Sequence, residues 1–219
     1  MKYSRTIIGI ALAAVCASAH AQTITTLFAG TTFAGDNNSG LYFNITTNSL
    51  DVEVTGWDWN LNEAATGIVT GISVWTRPGT AAGFEESDTG WVFQTGGSAV
   101  TAGPDNPSPV TQNSSFTLLA NTTTGFMLVN GGNSTMLYTQ GDGTGTYGSG
   151  TNQTYSNADM TITLGAATNS PWNNRSNGFF SPRVANFNMH YTAIPEPGSM
   201  IALGIGLTAL LARRRRKLA

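Results

Sequence analysis

The chain has 219 residues, of which 40% are hydrophobic and only 10% charged, with a formal net charge of −2 at pH 7. Seven of its ten cations lie in the two ends (Lys2, Arg5, Arg213, Arg214, Arg215, Arg216 and Lys217), so residues 22–193 hold three arginines against eleven carboxylates and no lysine. Such a body has no clustered cations for phosphate, which excludes a nucleic-acid partner.

The first segment is a secretory leader in outline. Lys2 and Arg5 form a positive start, Ile7 to Ala17 an apolar stretch, and Ala19-His20-Ala21 a small-x-small cleavage site before Gln22. Residues 1–21 are therefore expected to be removed by signal peptidase. Cys16 follows Val15, where a lipidation site needs a small residue, and no other cysteine exists. The mature body has no disulfide and no thiol ligand or nucleophile.

Residues 22–193 suit one domain with a real core. Short runs of β-formers recur: Leu41–Thr46, Leu50–Val54, Ile68–Thr76, Trp91–Phe93, Phe116–Leu119, Phe126–Val129, Met136–Tyr138, Met160–Leu164 and Phe187–Tyr191. Turn signals such as Asp36–Gly40, Arg77-Pro78-Gly79, Asn130–Asn133 and Gly141-Asp142-Gly143 separate them. No sustained helical period intervenes. The predicted fold is all-β, an antiparallel β-sandwich or jelly-roll-like ectodomain. Gly103–Pro109, with three prolines, reads as an extended crossover, and Gly141–Gly150 as a loop or hairpin tip.

Candidate chemistry is sparse in this body. His190 is its one histidine and falls on the polar side of its run. There is no GxSxG elbow for a Ser–His–Asp triad, and one histidine cannot make a His metal site. Asp51 and Glu53 share a strand face, while Glu85, Glu86 and Asp88 fall in a loop; both groups read as solvated rather than as a glycosidase pair. Catalysis and cofactors are not expected. Asp36-Asn37-Asn38 offers oxygen ligands of the kind Ca²⁺ takes, without EF-hand spacing. Trp57 and Trp59 alternate, so both point to one side, but on the opposite parity to Leu50, Val52 and Val54. Either a bulge at Gly56 resets the faces and the tryptophans are core, or they form a platform for sugar rings. Trp172, in the loop Asn169–Asn174, is a third candidate glycan contact.

The last segment, residues 194–219, reads differently. Pro195-Glu196-Pro197 is conformationally fixed and cannot pair as a central strand. Met200–Ala212 is apolar all round, as a lipid-facing helix must be, though shorter than the ~20 residues that span comfortably. Arg213, Arg214, Arg215, Arg216 and Lys217 then hold the end in the cytoplasm as a basic anchor. This order of parts resembles the PEP-CTERM sorting signal of Gram-negative bacteria. The resemblance implies that exosortase, a membrane protease, recognises Pro195, Glu196 and Pro197, with the transmembrane tail a transient anchor. It implies delivery of the body to the cell surface or the extracellular polymer matrix. Fragments of the body, including Ser73–Thr80, Ser156–Gly165 and Phe180–Val184, also resemble ectodomains of that group, which carry no activity we can transfer. The expected role is structural or adhesive, in association with exopolysaccharide or biofilm. The alternatives are a specific carbohydrate-binding module and, third, a glycoside-active enzyme.

Overall fold

The structure is a computed structural model and describes residues 21–28, 33–34, 39–63, 67–172 and 179–195. Every predicted β-run is a strand, and every paired strand in the two sheets is antiparallel. The strands are β1 (Ala21–Thr25), β2 (Phe33–Ala34), β3 (Gly40–Thr47), β4 (Asp51–Asn60), β5 (Val69–Pro78), β6 (Val92–Val100), β7 (Pro107–Gln112), β8 (Phe116–Leu118), β9 (Thr123–Asn130), β10 (Leu137–Gln140), β11 (Thr154–Ser156), β12 (Met160–Thr168), β13 (Phe179–Phe180), β14 (Arg183–Ala185) and β15 (Phe187–Ile194).

The architecture differs from two independently paired sheets. One hydrogen-bonded path runs β1-β15-β4-β7-β6-β5-β9-β3-β12-β11, with β8 added beside β4 and β13 beside β12. A separate sheet, β14-β10-β2, completes the enclosure. The long sheet curls until its end strands β1 and β11 approach one another. Tyr191, fully buried, ties the two ends: its phenol accepts from Asn157 Nδ2 (2.8 Å) and donates to Asp159 Oδ2 (2.9 Å).

Three bulges curve the sheet, as an extra residue in one strand raises local twist. Thr55 is the extra residue of β4 against β15, Gln94 that of β6 against β5, and Gly165 that of β12 against β3. The first decides the fate of the tryptophans. The bulge falls one residue before Gly56 and resets parity, so Val52, Val54, Trp57 and Trp59 all face inward. Trp57 packs edge-on against Phe43, Phe126 and Phe187 at the centre of the main core.

The proline segment also departs from expectation. Pro107–Gln112 is strand β7, not a crossover. Pro107 and Pro109 are tolerated because β6 pairs only Val110, Thr111 and Gln112, leaving the proline half with β4 as its one neighbour. A residue without an N–H fits where one side of the strand needs no donor.

Candidate functional site

The outer face of β5, β9, β3 and β12 carries a second, smaller core. Trp75, Met127, Val129, Tyr42 and Ala166 project outward there, opposite the inward Val74, Leu128, Phe43 and Leu164. Three loops cover them. Residues 79–91 bring Ala81 and Trp91, residues 141–150 bring Tyr147, and residues 169–172 bring Trp172. Two glycines make the close approach possible. A Cβ on Gly125 would stand 2.6 Å from Ala81 N, and one on Gly165 would overlap the ring of Tyr147.

The 79–91 loop is fixed residue by residue. Asn44 on β3 accepts from Ala81 N (2.7 Å) and donates to Thr80 Oγ1 (3.0 Å). Tyr42 donates to the Glu85 carbonyl (2.9 Å), and Trp91 Nε1 to the Phe84 carbonyl (3.1 Å). The Arg77 guanidinium lies 3.2 Å over the Phe84 ring and donates to the Thr80 carbonyl. Burial lowers the Arg77 pKa from its ordinary value, with the Glu85 charge opposing.

This scaffold buries Glu85 to 5% exposure. The expectation of a solvated Glu85, Glu86 and Asp88 trio therefore holds for the last two and fails for the first. Glu85 Oε1 accepts from the Tyr147 phenol (2.9 Å) and Oε2 from Gly83 N (2.7 Å), where Gly83 takes a φ of +86° that side chains rarely adopt. Burial first, and the Glu85 charge second, push the Tyr42 and Tyr147 phenols well above the ordinary tyrosine range. No cation stands within ion-pair distance of Glu85 among the described residues. Glu85 is among the residues that line an open groove of about 480 Å³, with Asn44, Thr80, Tyr147, Thr163 and Phe179.

The predicted glycan contacts are not the lining of this groove. Trp57 and Trp59 are 1% and 0% exposed, so the bulge at Thr55 removes them as a sugar platform. Trp172 is half-buried, edge-on to Trp75 with centroids 4.8 Å apart, and holds the second core rather than standing free. Sequence reasoning named Glu85 only as a solvated loop carboxylate and missed Tyr147. The only signal was a lone tyrosine in the glycine-rich segment, with Glu85 between Trp75 and Trp91.

His190 sits on the outer face as expected. Its Nδ1 is 2.9 Å from Thr23 Oγ1 and its Nε2 3.0 Å from Asp58 Oδ2, while Asn188 Nδ2 donates to the same Asp58 oxygen (2.9 Å). These contacts stitch β1, β15 and β4 across an open sheet surface. Asp51 and Glu53 are half-buried and accept from Ala120 N (2.7 Å) and Ser115 Oγ (2.6 Å). Among the described residues no group of three or more His, Cys, Asp or Glu side chains could hold a metal ion. The Asp36-Asn37-Asn38 turn lies outside them.

At the N-terminal junction, Ala21 and Gln22 open β1 opposite Thr192 and Tyr191, with Ala19 outside the described residues. At the C-terminal junction β15 ends at Ile194, paired with Asp51, and Pro195 follows immediately. Glu196, Pro197, the apolar run and Arg213, Arg214, Arg215, Arg216 and Lys217 lie outside the described residues. Among the described residues no helix is long and apolar enough to cross a membrane. A family model described as PEP-CTERM protein-sorting motif matches residues 193–217. The match opens on Ala193 and Ile194, the last two residues of β15. No curated protein matches the chain. The chain thus carries a PEP-CTERM sorting motif, which implies secretion, a C-terminal membrane anchor before processing, and processing by exosortase.

Proposed function

We propose that the body is a non-catalytic structural or adhesive protein of the cell surface or extracellular matrix, held in association with exopolysaccharide. The observation that carries this reading is the sorting motif and its place. It begins on the last pairs of β15, so the strand framework leads straight into the exosortase signal without an intervening linker. Cleavage within or after Pro195-Glu196-Pro197 would leave every strand pair intact. Composition adds support: the body's polar surface is built from Thr, Ser, Asn and Gly, side chains and backbone that hydrogen-bond to sugar hydroxyls.

The test is the distribution of the mature protein between matrix and medium. In cells that make exopolysaccharide it should sediment with the polymer. Disabling polymer synthesis should move it into the medium without changing its amount. An unchanged distribution would refute the exopolysaccharide association.

A further inference from the structure

We propose that the Glu85 groove binds a glycan bearing free amino groups, as in a polymer of wholly or partly deacetylated amino sugars; this rests on the exopolysaccharide reading and names its ligand chemistry. A buried carboxylate is normally paired with a cation, because desolvating it otherwise costs several kcal/mol. Glu85 is 95% buried by its 5% exposure, and its partners are one phenol and one backbone N–H. Two carboxylate oxygens have about four acceptor positions, so acceptor capacity remains on a residue that lines the groove. Arg77, the nearby cation, feels the Glu85 charge but stands beyond ion-pair distance, committed to the Phe84 ring and the Thr80 carbonyl. An ammonium group entering the groove would supply a close countercharge, which among the described residues none provides within ion-pair distance of Glu85.

The rim suits a pyranose. Phe179 is 42% exposed and offers a ring face for a sugar's C–H face, while Asn44, Thr80 and Thr163 line the same groove with hydrogen-bonding groups. The charge of the whole body selects the polymer's sign. Three arginines against eleven carboxylates repel a polyuronate and attract a polycation.

The experiment is calorimetric titration of the secreted protein with a glucosamine tetramer, an N-acetylglucosamine tetramer and a β-glucose tetramer. The glucosamine oligomer should bind, and weaken with salt. The two neutral oligomers should bind at least about tenfold more weakly. Glu85→Gln should weaken the glucosamine oligomer by roughly thirtyfold or more. Phe179→Ala, at an exposed position that threatens no core contact, should weaken all binding and guards against a folding defect in Glu85→Gln. Equal binding of all three oligomers, no binding, or indifference to Phe179→Ala would overturn the proposal. Matrix retention that survives Glu85→Gln while oligomer binding is lost would leave the exopolysaccharide reading standing on another surface.

Discussion

Gly165 has no side chain because the ring of Tyr147 lies where a Cβ would stand. Gly165→Ala should push Tyr147 off β12 and cost about 1–3 kcal/mol, the usual range for overpacking. Urea unfolding of the variant would show it, and a midpoint equal to wild type would contradict the packing of the second core. Trp57→Ala should cost more, about 3–5 kcal/mol, since it empties a fully buried site. Half-buried Trp172 should cost less under the same substitution. The alternation of Trp57 and Trp59 was legible in the sequence as a shared side. Which side was not, because a bulge leaves no residue signature beyond a nearby glycine. Glu85 was less legible still. Nothing in Gly83-Phe84-Glu85-Glu86 marks one carboxylate for burial; that follows from Tyr42 and Tyr147, which lie far along the chain.

Elements with a strict period of two or a dense run of β-formers were readable, and short or irregular ones were not. β5 and β15 alternate cleanly, β3 and β12 are dense runs of β-formers buried on both faces over much of their length, and all four appear close to their predicted places. β7 was hidden by its prolines, and β1, β2, β11, β13 and β14 by their shortness, since their pairing is set by neighbours rather than by their own pattern. The bulge in β4 makes a sharp test. Deleting Thr55 alone would leave Val52, Val54, Trp57 and Trp59 on one face of a regular strand, whereas deleting Thr55 and Gly56 together would move both tryptophans to the face opposite Val52 and Val54. Near-UV circular dichroism of the double deletion should be lost, while Thr55→Ala, at an exposed position, should retain it. The loop 141–150 is held by Asp142, which accepts from Thr151 Oγ1 and from Asn152 N. The Thr151 bond, more than any other contact, holds its carboxyl below the ordinary aspartate range. A depressed carboxyl contributes stability above its unfolded pKa and loses it as pH falls through the folded value. The protection factors of the amides of residues 144–153 should therefore fall below about pH 4. Asp142→Asn should remove that pH dependence.

On the scale of the whole molecule, closure of the curled sheet at Tyr191 and the second core at Tyr42 and Tyr147 depend on neutral phenols. Burial and the hydrogen bond to Asp159 push Tyr191 up to about 12, and Tyr42 and Tyr147 lie higher. Raised folded-state values contribute stability that is complete below the unfolded pKa of about 10 and is lost as pH rises through the folded values. The thermal midpoint should stay level to about pH 10 and fall steeply toward pH 12, with a shallower fall in Tyr191→Phe. The ends of the chain obey different physics. Each of Arg213, Arg214, Arg215 and Arg216 costs roughly 3 kcal/mol to place mid-bilayer, so replacing all four with Gln should let the short apolar run slip through and release a protein that keeps its tail. Pro195-Glu196-Pro197 should act at a separate, later step. Mass spectrometry of the C-terminus in membrane and medium fractions tests the sorting account most directly. Wild type should end near the motif and lack the basic block, whereas Pro195→Ala with Pro197→Ala should accumulate in the membrane at full C-terminal length. A double variant cut and released like wild type would contradict exosortase processing and the matrix role built on it.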